Sequence, residues 1–128
     1  MFPKPDTKKR KAEAALRIAE AKREFRRLCF ERDSYKCRCC GQADCGNSHH
    51  IIHGHREPIH DLSNRITLCL RCHDAVHGRY KIEIGGVLLS GWILMLAILD
   101  NLKGREGYRW EPVYEEVKIN AEKQRARV

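Results

Sequence analysis

The stretch that decides the fold runs from Cys37 to His77 and reads CRCCGQADCGNSHHIIHGHREPIHDLSNRITLCLRCHDAVH. Its two ends carry one Cys-x-x-Cys pair each, Cys37/Cys40 and Cys69/Cys72. Four further histidines stand in two pairs, His49 with His50 and His73 with His77. A structural zinc site needs only the four cysteines. The histidine pairs therefore indicate a second metal centre, one that carries out chemistry.

Composition limits the size, the partners and the compartment. The 128 residues suit a single domain over 1–128. Lys and Arg total 25 against 17 Asp and Glu, and the net charge of +8 favours an anionic partner such as nucleic acid or an acidic membrane surface. Four of the seven cysteines stand in Cys-x-x-Cys pairs, which is more typical of metal binding in a reducing, cytoplasmic compartment than of a disulfide framework. The first residues show no apolar stretch of the kind found in a cleavable signal.

An uncharged run of 16 residues, Ile84 to Leu99, requires a membrane test. A spanning helix needs about 20 such residues, and Gly85-Gly86 and Ser90-Gly91 interrupt this run. We predict no membrane span. The run is interpreted as a buried hairpin that turns into a core helix.

The N-terminal segment, residues 7–33, is predicted to be a basic helix. Residues 8–32 are rich in good helix formers, and Thr7 is a candidate N-cap. Residues 1–28 hold ten basic and four acidic side chains. One interpretation is a solvated helix face, and the other is a helix that lies along a phosphate backbone. A partial apolar stripe at helical spacing is formed by Leu16, Ala19, Phe25, Leu28 and Cys29.

The remaining chain divides into a zinc-clamped core over 34–80 and a hairpin with C-terminal helices over 81–128, an α+β arrangement. The core is predicted to contain a turn region at 33–47, short strands at 48–52 and 66–68, a loop at 53–63 and a helix at 70–77. Beyond it, Gly85-Gly86 predicts a hairpin. Ser90 then caps a helix over 91–102 that ends at Lys103-Gly104, and a charged helical tail follows Pro112.

The four paired cysteines predict a structural zinc site, because each Cys-x-x-Cys turn supplies two thiolates to a tetrahedral ion. The 28 residues between Cys40 and Cys69 exceed the roughly 15 to 20 of the common zinc pattern. A zinc ion here would hold together the two ends of an inserted segment and reduce its freedom. Cys39 and Cys45 remain alternative ligands.

His73 and His77 are four residues apart on the predicted helix, so both project from one face and can share a metal ion. His49 and His50 are candidates to complete that site. Adjacent residues of an ideal strand point to opposite faces, so this strand must be distorted if both serve one centre.

Taken together, these residues resemble the HNH endonucleases, in the branch that carries a Cys-x-x-Cys zinc knuckle. The family pattern is matched in order and spacing over about 40 of the 128 residues, by Cys37 to Gly41, His49-His50-Ile51, Ser63-Asn64, Leu68 to His73, and His77. The resemblance implies a ββα-metal core and hydrolysis of phosphodiester bonds in DNA.

The resemblance also implies roles for individual residues. His50 would be the general base that takes a proton from the attacking water. His49 and His73 would hold the catalytic divalent cation, with His77 as third ligand, as in the colicin-type branch. Asn64 braces the loop that orients the base in some branches and binds the metal in others, so we count His50, Asn64 and His73 as catalytic.

The segment between His50 and Asn64 departs from the family. Many members carry Pro-Arg-Ser and a Gly-Gly turn, whereas this chain has His53-Gly54-His55-Arg56-Glu57-Pro58-Ile59-His60. The three histidines of this segment are interpreted as solvated loop residues. Arg56 is a candidate contact for the scissile phosphate, from its charge and location.

The sequence therefore predicts a metal-dependent DNA endonuclease, bacterial or phage-encoded, with a structural Zn²⁺ and one catalytic divalent cation (Mg²⁺, Mn²⁺, Ni²⁺ or Zn²⁺). A homodimer and a phage or host protein are the candidate protein partners. The first alternative is a zinc-containing module that binds nucleic acid without cleaving it. The second is an assembly factor whose apolar segment 84–99 binds a partner.

Overall fold

The computed structural model of the protein describes residues 7–52 and 62–127. Over these ranges the chain is α+β, as predicted, and combines helices with two small antiparallel hairpins. The elements in chain order are α1 (Thr7–Arg32), β1 (Ser48–His50), a 3₁₀ turn (Leu62–Asn64), β2 (Arg65–Thr67), α2 (Leu70–Val76), β3 (Ile82–Ile84), β4 (Val87–Leu89), α3 (Gly91–Leu102) and α4 (Glu111–Ala126). The 3₁₀ turn was not predicted. No helix in the described ranges combines the length and apolar character that a membrane crossing requires.

Helix α1 packs against the rest of the molecule near its C-terminal end. Cys29 is its one buried residue, and the helix contacts β1, β2 and the 3₁₀ turn. The N-terminal part of the predicted apolar stripe is not buried, because Leu16 is 60% exposed. Thr7 is itself helical rather than the predicted N-cap.

Asp33, directly after α1, joins three parts of the molecule. Its buried carboxylate accepts hydrogen bonds from Arg32 (3.0 Å), the backbone N–H of Thr67 (2.9 Å) and the Tyr108 hydroxyl (2.7 Å). Burial alone would raise the pKa of Asp33, but the bonds and charge of Arg32 and the bonds from Tyr108 and Thr67 hold that pKa below its usual value. Arg32 also donates to the carbonyls of Leu62 and Arg65 and lies over the Tyr108 ring. The end of α1, strand β2 and the loop before α4 are therefore fixed together.

The β1–β2 hairpin places the two adjacent histidines. His49 pairs with Ile66, and His50 pairs with Arg65. Cross-strand partners share a face and successive residues alternate, so His49 and His50 start from opposite faces of this hairpin.

The second hairpin has the predicted turn but not the predicted burial. Gly85 and Gly86 connect β3 to β4 with φ of 59° and 82°, values that a two-residue type I′ turn requires. The prediction of a buried hairpin is wrong, since Val87 is 56% and Leu88 63% exposed. The apolar content of the run is used instead by α3, which packs against α4.

The core of the described structure spans the cysteine region and the C-terminal helices. Its fully buried large side chains include Ile66, Leu68, Leu94, Leu99, Leu102 and Val117. Helix α3 ends at Lys103-Gly104 as predicted. Ser90 occupies the cap position of α3 but its side chain makes no cap hydrogen bond there. The side chain of Gln124 in α4 caps the helix instead. Its Oε1 accepts a hydrogen bond from the N–H of Ile93 (3.1 Å), and its Nε2 donates one to the carbonyl of Ser90 (2.9 Å).

Candidate metal centres and active site

The four predicted zinc ligands converge. The Sγ atoms of Cys37, Cys40, Cys69 and Cys72 all lie within 4.8 Å of one another. The Cys40 and Cys69 sulfurs are 3.7 Å apart, close to the roughly 3.8 Å expected between two thiolates on a tetrahedral zinc with Zn–S bonds of about 2.3 Å. The donor set and its spacing fit Zn²⁺. Neither Cys39 nor Cys45, the alternatives left open by the sequence, belongs to this group.

Local backbone geometry prepares the cysteines for a metal. The N–H of Cys40 points to the Cys37 sulfur (3.5 Å), and the N–H of Cys72 points to the Cys69 sulfur (3.4 Å). A hydrogen bond from the Cys72 thiol lowers the pKa of Cys37 to about 4 even though burial opposes this. The same contact raises the pKa of Cys72. Thiolate character therefore concentrates on Cys37, whereas Cys72 would have to release its proton for a zinc ion to bind all four sulfurs.

Helix α2 connects the cysteine cluster to the histidines. Cys69 is the N-cap of this helix, Cys72 lies in its first turn and His73 follows directly. His77 is the residue after the helix, and its N–H bonds to the His73 carbonyl. The cysteine cluster thus includes the start of the element that presents both histidines.

The histidines come together around one cavity of about 200 Å³. The rings of His49 and His73 stack with centroids 3.7 Å apart, and the Nε2 atoms of His73 and His77 are 3.0 Å apart. The cavity is lined by His49, His50, Ile51, Leu68, His73, Val76, His77, Gly91, Trp92 and Met95. Both adjacent histidines line it, and β1 nevertheless keeps its regular pairing with β2 through both residues.

The fit of a cation to these imidazoles is partial. The 3.0 Å between His73 and His77 suits two neighbouring ligands of an octahedral ion with bonds of about 2.1 Å. Among the described residues, however, the cysteine cluster is the one group of three or more ligands that converges within metal distance. The stacked His49 ring would have to turn for all three imidazoles to meet one ion.

Asn64 holds the backbone that follows the adjacent histidines. Its side-chain Oδ1 accepts from the N–H of Ile52 (2.8 Å), and its Nδ2 donates to the Ile52 carbonyl (3.1 Å). Its own carbonyl accepts from the N–H of Ile51 (3.0 Å). Of the two roles that the resemblance allows for Asn64, this geometry matches bracing.

Arg56, the predicted phosphate contact, and the loop histidines lie outside the described residues. Three residues that the motif did not predict, Gly91, Trp92 and Met95 at the start of α3, close one side of the cavity. The apolar run 84–99 predicted only a core helix, and nothing in the sequence indicated that it would lie beside the histidines.

Comparison with known proteins identifies the central segment. Residues 37–79 match the family model described as HNH endonuclease. No curated protein and no solved structure matches the chain significantly. The match covers both cysteine pairs and all four cavity histidines, and it confirms the resemblance seen in the sequence. An HNH domain implies interaction with nucleic acid, as a nuclease or as a binding module.

Proposed function

With residues 37–79 identified as an HNH domain, we propose that this protein is a metal-dependent endonuclease that hydrolyses phosphodiester bonds in DNA. The observation that carries the proposal is the cavity itself. Two segments of the chain, residues 49–50 and 73–77, bring four imidazoles to it, beside a cysteine cluster that can hold structural zinc.

The proposed roles are those that the HNH resemblance implies for these positions. His50 acts as general base, because a neutral imidazole accepts a proton near neutral pH. Asn64 is a positioning residue, since its amide fixes the backbone two residues after His50. His49, His73 and His77 would hold a divalent cation, with His73 shared between metal binding and the catalytic set. Such a cation, when bound, stabilises negative charge on the phosphoryl and leaving oxygens.

The arrangement of burial supports this division. His77 is exposed and His73 is half-buried, so a phosphate and water can reach them. Leu68 and Met95, which also line the cavity, are buried and restrict water on the inner side.

A second candidate function is a zinc-containing module that binds nucleic acid without cleaving it. It is favoured by the incomplete convergence of His49, His73 and His77. On that view the histidine cavity contributes packing alone.

The two functions are separated by nicking of supercoiled plasmid over a series of divalent cations. We expect His50→Gln to lower the rate by about 10² to 10⁴-fold at every metal concentration, because the base is lost. His77→Gln, a matched change at a proposed ligand, should instead require more metal and recover much of the rate at saturation. Absence of nicking with every cation, while the protein still binds DNA, would establish the binding module.

A further inference from the structure

Helix α1 separates its charges by face. Its four carboxylates, at Glu13, Glu20, Glu24 and Glu31, are spaced by seven, four and seven residues. At 3.6 residues per turn they fall within a sector of about 40°. Arg10 and Arg17 lie next to this acidic stripe. The rest of the exposed circumference carries no carboxylate.

Basic residues occupy that carboxylate-free face. Lys8, Lys11, Lys22, Arg23 and Arg26 lie on it, and they extend over about 27 Å at 1.5 Å per residue. In the described part of the chain the α1 carboxylates form ion pairs with Arg27 alone, through Glu24 and Glu31. The charges of Arg23 and Arg26 are therefore not neutralised within the described structure.

The C-terminal end of α1 shows which way this face points. The Cys29 sulfur lies 3.6 Å from the Thr67 hydroxyl. Helix α1 contacts both strands of this hairpin, and the positive charge of Arg26, almost one turn before Cys29, helps to lower the pKa of Arg65. Arg65 in turn pairs with His50. Moving back along α1 thus corresponds to moving along the hairpin from Thr67 towards its His50 end.

Arg65 is an unusual residue to find in this position. It is 4% exposed, and its Nη1 donates to the Ser48 hydroxyl at 3.1 Å. Its Nε is buried without a hydrogen-bond partner, and no carboxylate in the described ranges forms an ion pair with it. Burial lowers the pKa of Arg65, and the charge of Arg26 adds to this, yet a guanidinium stays protonated in proteins. A buried cation with an unused donor and no counter-charge is suited to an anion.

We propose that the carboxylate-free face of α1, continued by Arg65, is a track for DNA phosphates that leads one strand to the histidine cavity. The proposal rests on the proposed function, since it assigns the substrate contacts of that same site. Phosphate contacts of this kind fix register and orientation and carry no base preference. Their contribution to affinity weakens as salt rises, because bound counterions are released.

The test compares two double variants that remove the same charge from the same helix. Arg23→Gln with Arg26→Gln alters the track, and Arg10→Gln with Arg17→Gln alters the acidic side. Both are made in a His50→Ala chain, so that binding to a short duplex can be titrated without cleavage. Arg and Gln have similar helix propensity, and circular dichroism checks that α1 is retained.

We expect the track variant to bind more weakly and to reduce the slope of log K against log salt by about 1.8, or 0.9 for each lost phosphate contact. The acidic-side variant should keep most of the parental slope. Arg65→Lys, which retains the charge but loses the fork of donors, should weaken binding while zinc content stays the same.

Equal slopes for the two double variants would overturn the track. The nicking rate of the corresponding chains with His50 intact tests the function separately. If those chains nick plasmid while the slopes are equal, the track is wrong and the nuclease stands. If they never nick while the slopes differ, the track is right and the nuclease fails.

Discussion

The cysteine cluster and the histidine cavity share helix α2 yet differ in closure. Three of the four cysteines are buried and their sulfurs converge within 4.8 Å. In the described ranges His73 stacks on His49 and lies beside His77, which is exposed. Structural zinc sites are closed, whereas catalytic metal sites keep a position open for water or substrate. The closed cysteine cluster is thus suited to a structural zinc ion, and the more open histidine cavity is suited to a ligand that enters from solvent.

The adjacent cysteines 39 and 40 allow the first and largest test of this contrast. We expect Cys40→Ser to abolish stoichiometric zinc binding and cooperative unfolding, because binding to a structural site contributes about 10 to 16 kcal/mol to folding. Cys39→Ser, one residue away, should retain about one zinc per chain and a normal Tm. The opposite outcome would move the ligand assignment to Cys39, whose pKa a hydrogen bond from Cys72 also lowers.

Asp33 should affect both sites together, because it holds β2 between them. Asp33→Asn leaves the buried Arg32 without its counter-charge, and we expect the free energy of unfolding to fall by about 3 to 5 kcal/mol. Asp44→Asn, at an exposed carboxylate, is the control and should change stability little. Chemical denaturation of the two variants gives the comparison, and equal stabilities would remove Asp33 from its central role.

The pH dependence has a definite sign. Because the folded pKa of Asp33 is lowered, its contribution is present above about pH 4 and is lost as pH falls through the folded value. The Tm difference between the native chain and Asp33→Asn should therefore shrink below about pH 4. A difference that stays constant down to pH 2 would contradict the ionised assignment.

A substitution at Asn64 tests the histidine cavity, and its expected effect on stability is smaller than that of Asp33→Asn. Asn64→Asp replaces the donor to the Ile52 carbonyl by an oxygen, which should cost about 1 to 3 kcal/mol and slow nicking without changing zinc content. Asn101→Asp on exposed α3 surface serves as control. If Asn64 were a metal ligand, the new carboxylate would retain the rate and tighten cation binding, and that result would refute the bracing role.

Much of the fold was predictable because short-range signals set it. The Cys-x-x-Cys turns, the Gly85-Gly86 hairpin and the Gly104 helix end each depend on residues within one turn. The cysteine cluster was predictable for the same reason, since each Cys-x-x-Cys pair preforms half of it.

The structural features that the sequence did not predict depend on tertiary contacts. The prediction that the second hairpin is buried was wrong, because an apolar sequence does not show whether its residues lie in the core or at the surface. The capping of α3 by Gln124 joins residues 31 apart or more, and the closure of the cavity by Trp92 follows from how α3 packs on α2. Neither of these two contacts leaves a pattern in the local sequence from which it could be predicted.

We propose that the cysteines hold a structural zinc ion and that the histidines carry out catalysis. One paired measurement tests this division most directly. Zinc content and plasmid nicking are measured on the same preparation of His50→Ala and of the native chain. We predict one zinc per chain and an unchanged Tm in both, with nicking lost in the variant. Nicking that persists in His50→Ala, or zinc that is lost with it, would contradict the division between the two sites.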